Sequence, residues 1–443
     1  MKIKVFHFII TLLVLEMGWA APKFKSIEKI ADGLGLASDA FELYQSYLES
    51  AKDGDMKAQF NLGNAYYFGK GVEKNFVEAA KWFTKAAEQG HSSAQYNLGN
   101  AYSKGEGVPQ DYKEAFKWYS KSADQGDSWA QNMLGIMYLK GQGVPQDYKE
   151  AFKWCSKSAE SGYATAQNNL GNAYSKGEGV PQDYKEAFKW YSKSADQGDS
   201  WAQNRLGIMY ELGQGVPLDY KEALRWYNKS AESGYATAQY NLGRMFDNGR
   251  GVKKDYKQAI KWYTLAAEQG HVNSQYNLGW MYSKGVGIDQ NYTEAFRWQS
   301  KAALQGDSFA QNSLGIRYEN GQGVPQDLKE AVKWYSKAIE QGNEKAKSNL
   351  AKLQEKMLRE EKMKGIEKLK TTGVFIENPQ KDSYTFIDDA DQKKYFAYSN
   401  VIEKVGDLKG KRVRIHAQIK KSKNGKSMMI PYLHKISPIQ ENP

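Results

Sequence analysis

The chain has 443 residues, 41% of them hydrophobic and 26% charged, with 41 Gly and 10 Pro. A single compact core stops growing at roughly 250–300 residues, so one globular domain is excluded, as are collagen-like and disordered compositions. The net charge of +11 admits an acidic partner or surface, and the lone Cys155 excludes an intramolecular disulfide.

The N-terminus reads as a secretory signal peptide over residues 1–20. Lys2 and Lys4 precede a mostly apolar run from Val5 to Leu15, and Gly18-Trp19-Ala20 supplies a small-x-small pattern ending before Ala21. Cleavage there predicts a periplasmic or secreted protein; the alternative is a short anchor that is never cleaved. The run is too short for a comfortable span and no second candidate follows, so no transmembrane segment is expected after cleavage. Residues 21–54 form a leader and a capping helix, because Tyr47, Ala51 and Gly54 align with Phe83, Ala87 and Gly90 one period later.

From residue 55 to 345 the chain repeats eight times. Trp82, Trp118, Trp154, Trp190, Trp226, Trp262, Trp298 and Trp334 keep a 36-residue step, and Leu-Gly pairs from Leu62-Gly63 to Leu314-Gly315 keep the same one. Residues 97–132 and 169–204 are identical. A fixed period of this size marks an array whose units bury apolar faces only against neighbours. Within one unit, Ala94, Leu98 and Tyr102 define one face of a first helix. Gly99 beside Leu98 marks a close helix approach, and Gly105-Glu106-Gly107 ends the helix. Asp111 with Glu114 predicts a capping box, and Tyr112, Ala115, Phe116, Tyr119 and Ala123 form the buried stripe of a second helix. The Trp ladder is read as packing between units rather than a ligand platform. Cys155, at the position of Tyr119 and Tyr191, is read as a core substitution.

The pattern A-x-x-x-L-G-x-x-Y-x-x-G-x-G-V-x-x-D-x-x-x-A-x-x-W-Y-x-x-A-A-x-x-G resembles the Sel1-like repeat, a relative of the tetratricopeptide repeat. The resemblance implies an α/α superhelix serving as adaptor or scaffold in signalling, protein quality control or bacterial virulence. Cysteine-rich bacterial members staple each repeat with a disulfide, and some are linked to penicillin binding or β-lactam hydrolysis. This chain lacks those cysteines.

Ala346, Leu350 and Leu353 begin a capping and linker helix over residues 346–370. From 371 to 440 the period becomes alternating. Val374–Ile376, Ser383–Ile387, Tyr395–Tyr398, Arg412–Ile419 and Met428–Leu433 read as strands, and Asn424-Gly425 predicts a tight hairpin between the last two. Five strands in such a length fit a small β-barrel resembling an OB-fold. The expected fold class is therefore mostly α: a superhelical solenoid of helical hairpins, followed by a small all-β, OB-like domain.

Two candidate surfaces emerge. Asn61, Asn97, Asn169, Asn241 and Asn277 precede the Leu-Gly pair, and Asn64, Asn100 and Asn172 lie one helical turn on. On a concave face such amides could bond the backbone of an extended peptide. The alternative is that they bond their own helix ends or loops between repeats. The second surface is basic: Lys411, Arg412, Arg414, Lys420, Lys421, Lys423 and Lys426 cluster with no acid among residues 408–440. An anionic glycan, lipid headgroup or acidic protein face fits an exported protein better than nucleic acid; the alternative is a solvated basic edge that discourages strand pairing. No histidine spacing suits zinc, no glycine pattern sits in a phosphate-loop context, and no catalytic constellation, metal or cofactor is expected. The expected function is an exported, non-catalytic scaffold or adaptor for protein or peptide partners. The alternatives are a β-lactam or cell-wall-acting enzyme and a binder of anionic glycans through the β domain.

Overall fold

The computed structural model describes residues 36–363, 366–378, 383–388, 394–397, 412–421 and 428–438, with side chains over 39–360. The expected signal peptide, its cleavage site and residues 21–35 lie outside the described residues. The chain divides into two compact units, the division falling between Lys301 and Ala302 in the sequence. No described helix is long and apolar enough to cross a membrane.

A helix over Leu36–Lys52 precedes the array. Each repeat then supplies two 13-residue helices, beginning with Met56–Phe68 and Phe76–Glu88. Six of the eight first helices start on a residue that holds a free backbone N–H; the two that start after Tyr163 and Tyr235 have no side-chain cap. Asp55, Asp127, Asp199 and Asp307 accept from the third residue on through a carboxylate, and His91 and His271 do so through Nδ1. Second helices start on Asp111 and its counterparts; Asp111 Oδ1 accepts from Lys113 and Glu114 N–H at 2.8 and 3.1 Å. The full capping box does not form. Asp111 N–H donates instead to Tyr102 C=O, and the Glu114 side chain pairs with Lys117.

The loop glycines have separate tasks. Gly105, at φ 73°, caps the first helix in the left-handed region. Gly107, at φ 78°, lies against the backbone of Phe76 in the preceding repeat, where a Cβ would collide with the carbonyl. The Gly-x-Gly loop thus clamps one repeat onto the last. The helical Gly99 opens room for a ring: a Cβ there would stand 2.6 Å from Tyr119 Cδ1. Ala115, Tyr119, Ala123, Ala130, Leu134 and Met137 form one buried cluster, which joins second helix to the next first helix.

Polar side chains stitch the same seams. Gln95 Nε2 donates to Ala87 C=O at the end of the preceding second helix, and its Oε1 accepts from Gln125 at 2.7 Å. Gln59 with Gln89, Gln167 with Gln197, Gln239 with Gln269 and Gln311 with Gln341 repeat the bridge. Gln131 and Gln203 are the informative departures. Thirty residues on from each stands Ser161 or Ser233, too short to reach, and both Oε1 atoms are buried without a hydrogen bond.

The second unit, taken by itself, holds Ser308–Asn320, Leu328–Glu340 and the capping helix Glu344–Met363. Ala331, Tyr335, Ala338, Ala346 and Leu353 are its buried cluster. Five strands follow: β1 (Ile366–Asn378), β2 (Ser383–Asp388), β3 (Lys394–Ala397), β4 (Arg412–Lys421) and β5 (Met428–Pro438). Their backbones pair in the order β1-β2-β3-β5-β4 around a closed barrel; β3 runs parallel to β5 and every other pair is antiparallel.

The sequence reading is corrected here. The capping helix stops at Met363 rather than residue 370, and β1 begins at Ile366, inside the stretch read as linker. Pairing of Lys421 with Met428 leaves residues 422–427 as the connection, longer than a two-residue hairpin; Asn424-Gly425 lies outside the described residues. The compound fold class is not retained. All the described side-chain packing, which ends at Glu360, is helical, and an OB-like domain is identified by what fills and lines it, not by strand pairing alone. The fold class of the described packing, over residues 36–363, is an all-helical repeat solenoid of 18 helices.

Candidate partner-binding surface

The face of the array open to a partner is defined by what the core leaves over. In a second helix, Trp118 and Tyr119 are buried, and the Trp118 ring is covered by Lys121, whose Nζ lies 4.3 Å from its centroid. The same i, i+3 cover recurs on Trp82, Trp154, Trp190 and Trp226 in the first unit and on Trp334 in the second. A ring packed below and capped by a cation offers no free platform, in keeping with a packing role for this ladder.

The asparagines of the first helices are largely engaged with one another. Asn97 Nδ2 donates to Asn64 Oδ1 at 3.3 Å, Asn169 to Asn132 at 2.9 Å, and Asn241 to Asn204 at 3.0 Å. Asn100 and Asn172 accept from the buried phenols of Tyr119 and Tyr191 at 2.7 and 2.9 Å. Burial and the Asp247 carboxylate push the Tyr263 phenol up, while a hydrogen bond with Asn277 pulls it back. Asn61 instead lines an open hollow of about 750 Å³, together with Tyr47, Asp53, Asp55 and Lys57. The structure therefore brings seven of these amides into contacts within and between repeats and leaves Asn61 at a surface. Arg412, Arg414, Lys420 and Lys421 are carried by β4, whereas Lys411, Lys423 and Lys426 lie outside the described residues.

The sequence reading missed other surface groups. Trp129, at the start of a first helix, is 51% exposed beside Tyr96, with ring centroids 5.9 Å apart. Trp280 is 42% exposed on a later first helix, and in the second unit Phe309, at the position of Trp129, is 55% exposed. The signal was present: the repeat position of Trp129 is aromatic again at Trp201 and Phe309, and carries Lys57, Ser93, Thr165, Thr237 or Asn273 in the other copies. One further cluster answers charge with charge. Glu211 is buried and accepts from Tyr227 Oη at 2.7 Å, Arg244 at 3.2 Å and Arg250 at 3.0 Å.

Nothing in the described residues groups three or more His, Cys, Asp or Glu side chains around a metal-sized space. Cys155 is buried beside a cavity of about 70 Å³, and burial pushes its thiol up to about 12. In the first unit the surface is thus one of exposed aromatics and paired charges on first helices.

The pattern of the Sel1 repeat family matches eight segments: 57–91, 92–127, 130–163, 164–199, 202–235, 236–271, 272–307 and 308–343. The match ends at residue 343 and lends no support to the OB-like domain expected beyond it. Among solved structures, the chain is 41% identical to a protective antigen present in uropathogenic Escherichia coli strains and displaying an SLR fold. That similarity covers 69% of this chain and 66% of the antigen, just under two thirds, at a TM-score of 0.63. A Sel1 repeat protein from Oxalobacter formigenes is 37% identical over 70% of this chain and 89% of its own, at a TM-score of 0.57. No curated protein matched the chain in sequence.

Proposed function

The chain belongs to the Sel1 repeat family, and from that premise we propose that it is an exported, non-catalytic scaffold that binds a protein partner along its first helices. Sel1 repeats are typically protein-interaction modules, which supports the general reading. The observation that carries it is the set of large aromatics left in solvent on first helices, Trp129 and Trp280 above all. Aromatics are enriched where proteins meet, and Trp129 stands beside a second ring, Tyr96. Export rests on the Lys2–Ala20 pattern and is supported by the Escherichia coli relative's being a protective antigen. In this reading the mature chain begins at Ala21 and works in the envelope or outside the cell.

A photoreactive residue placed at Trp129 in the full chain, compared with one at the exposed Lys117 of a second helix, tests the binding face. The expected result is a discrete cross-linked partner from position 129 and none from 117. Equal labelling from both, or none from either, would refute the proposal. N-terminal sequencing of the protein from its native host tests export; an intact Met1 would refute cleavage at Ala21.

A further inference from the structure

The cluster around Glu211 is unlike anything else among the described repeats. The repeat position of Arg244 holds Asn, Ile or Trp in the other seven copies, and that of Arg250 holds Lys, Glu, Gln or Val. Only here do two arginines converge, one from a first helix and one from the loop after it. They bond the same oxygen of Glu211, which belongs to the preceding repeat and is 8% exposed. Their nitrogens are therefore no farther apart than those two bonds laid end to end. Glu211 Oε2 is taken by Tyr227.

The charge does not close. Within the ion-paired cluster one carboxylate faces two guanidiniums, a surplus of one positive charge; Asp247, a turn along from Arg244, is engaged by Tyr263 instead. The arginine side chains remain 34% and 45% exposed. Each guanidinium has five N–H donors. Arg244 spends one nitrogen on Glu211 and points another at Asn241 Oδ1, 3.5 Å away, and Arg250 spends one on Glu211. The buried carboxylate holds the two groups in place, so a ligand would pay less to order them. Tyr240 and Tyr220 stand beside Arg244 and Arg250, with centroids 5.9 and 5.7 Å away, and add flat apolar flanks.

We propose that Arg244 and Arg250, gathered on Glu211, form a carboxylate-binding subsite that receives an acidic side chain of an extended peptide segment of the partner. The inference rests on the scaffold reading and names the chemistry of what is bound. A monoanionic carboxylate neutralises the surplus charge, and its two oxygens suit the fork of a guanidinium.

The test uses fluorescence anisotropy on the full chain with labelled octaglutamate and octaglutamine peptides. Octaglutamate is expected to bind, and to weaken as salt is raised, while octaglutamine does not bind. Arg244→Gln and Arg250→Gln should each weaken binding about fivefold, the scale of a partly exposed ion pair. Arg244→Lys should weaken it too, because the charge stays but the fork is lost. Lys113→Gln, an exposed change in an earlier repeat, should leave it unchanged. Thermal melts of each variant separate this from a merely structural clamp, which would lower the melting temperature and leave peptide affinity alone. The proposal is overturned if both arginine variants bind as the native chain does, if Lys113→Gln loses as much, or if octaglutamine binds equally. It is also overturned if inorganic phosphate protects the site while octaglutamate does not bind. A discrete cross-link from position 129 without octaglutamate binding sinks the subsite alone; loss of that cross-link removes the scaffold reading as well.

Discussion

Replacing Gly99 with Ala puts the packing argument at risk in a single methyl group. In an exposed helix this change would stabilise by about 1 kcal/mol through propensity. Here the new Cβ would stand 2.6 and 2.7 Å from Tyr119 Cδ1 and Cε1, closer than real contacts allow. Tyr119 is fully buried and tied by its hydroxyl to Asn100, so the ring cannot yield freely. Overpacking of a filled core costs about 1–3 kcal/mol, and a displaced phenol loses a bond worth about 1 kcal/mol. Set against the propensity gain, the net expectation is a destabilisation of about 2 kcal/mol. In a Tyr119→Ala background the obstruction is gone, and the same Gly99→Ala change should become stabilising by about 1 kcal/mol. Urea unfolding of the four chains of that cycle measures the reversal of sign. Hydrogen exchange locates it, with protection falling over residues 92–124 and persisting over 236–268, since each unit is stabilised by its neighbours. A Gly99→Ala chain as stable as the native one, or a loss spread evenly over the array, would refute the reasoning.

Three further outcomes follow from particular contacts. Ser161→Gln should supply the donor that Gln131 Oε1 lacks and raise stability by about 1 kcal/mol, measured as the urea midpoint; a lower midpoint would count against the bridge. Burial lowers the imidazole pKa of His91 and of His271, and each accepts a backbone N–H at Nδ1, a role that protonation ends. The unfolded chain then binds those protons first, so stability should fall as pH drops from about 6.5 through the lowered folded values. His91→Asp with His271→Asp should flatten that slope between pH 7.5 and 5, and an unchanged slope would reject the cap's part in it. Cys155, with its thiol pushed up to about 12 by burial, should react with a thiol reagent at pH 8 only in denaturant; prompt labelling of the native chain would contradict that burial.

What could be read from the residues alone was whatever every copy repeats. Leu98-Gly99 and the Trp118 ladder recur at a constant step, and the core was legible from them. The Gln95–Gln125 bridge recurs in four further copies but escaped, because a polar residue in a helical pattern reads as surface until a partner is seen across the seam. Glu211 and Arg250 lie in different repeats, so their pairing needed the stacking of units to appear. At the C-terminal end the run from Ile366 to Lys370 is dense in Lys and Glu and reads as helix, whereas its backbone pairs with β4 from Ile366 onward.

Departures from the period carry their own logic, and Cys155 shows it best. A buried phenol must place its hydroxyl on an acceptor. Tyr119 and Tyr191 use Asn100 and Asn172, while Tyr227, Tyr263 and Tyr335 use Glu211, Asp247 and Glu319 one turn further on. In the repeat where the tyrosine becomes Cys155, those two acceptor positions are Ile136 and Leu139, and both line the cavity the smaller side chain leaves. Hydroxyl and acceptor have vanished together, as the cost of an unpaired buried polar group requires. The same rule read in the other direction accounts for the arginines. Once Glu211 supplies a full charge where Asn or Ser would have sufficed, the low dielectric demands a cation. Arg244 and Arg250 answer from the next repeat, one more than neutrality needs.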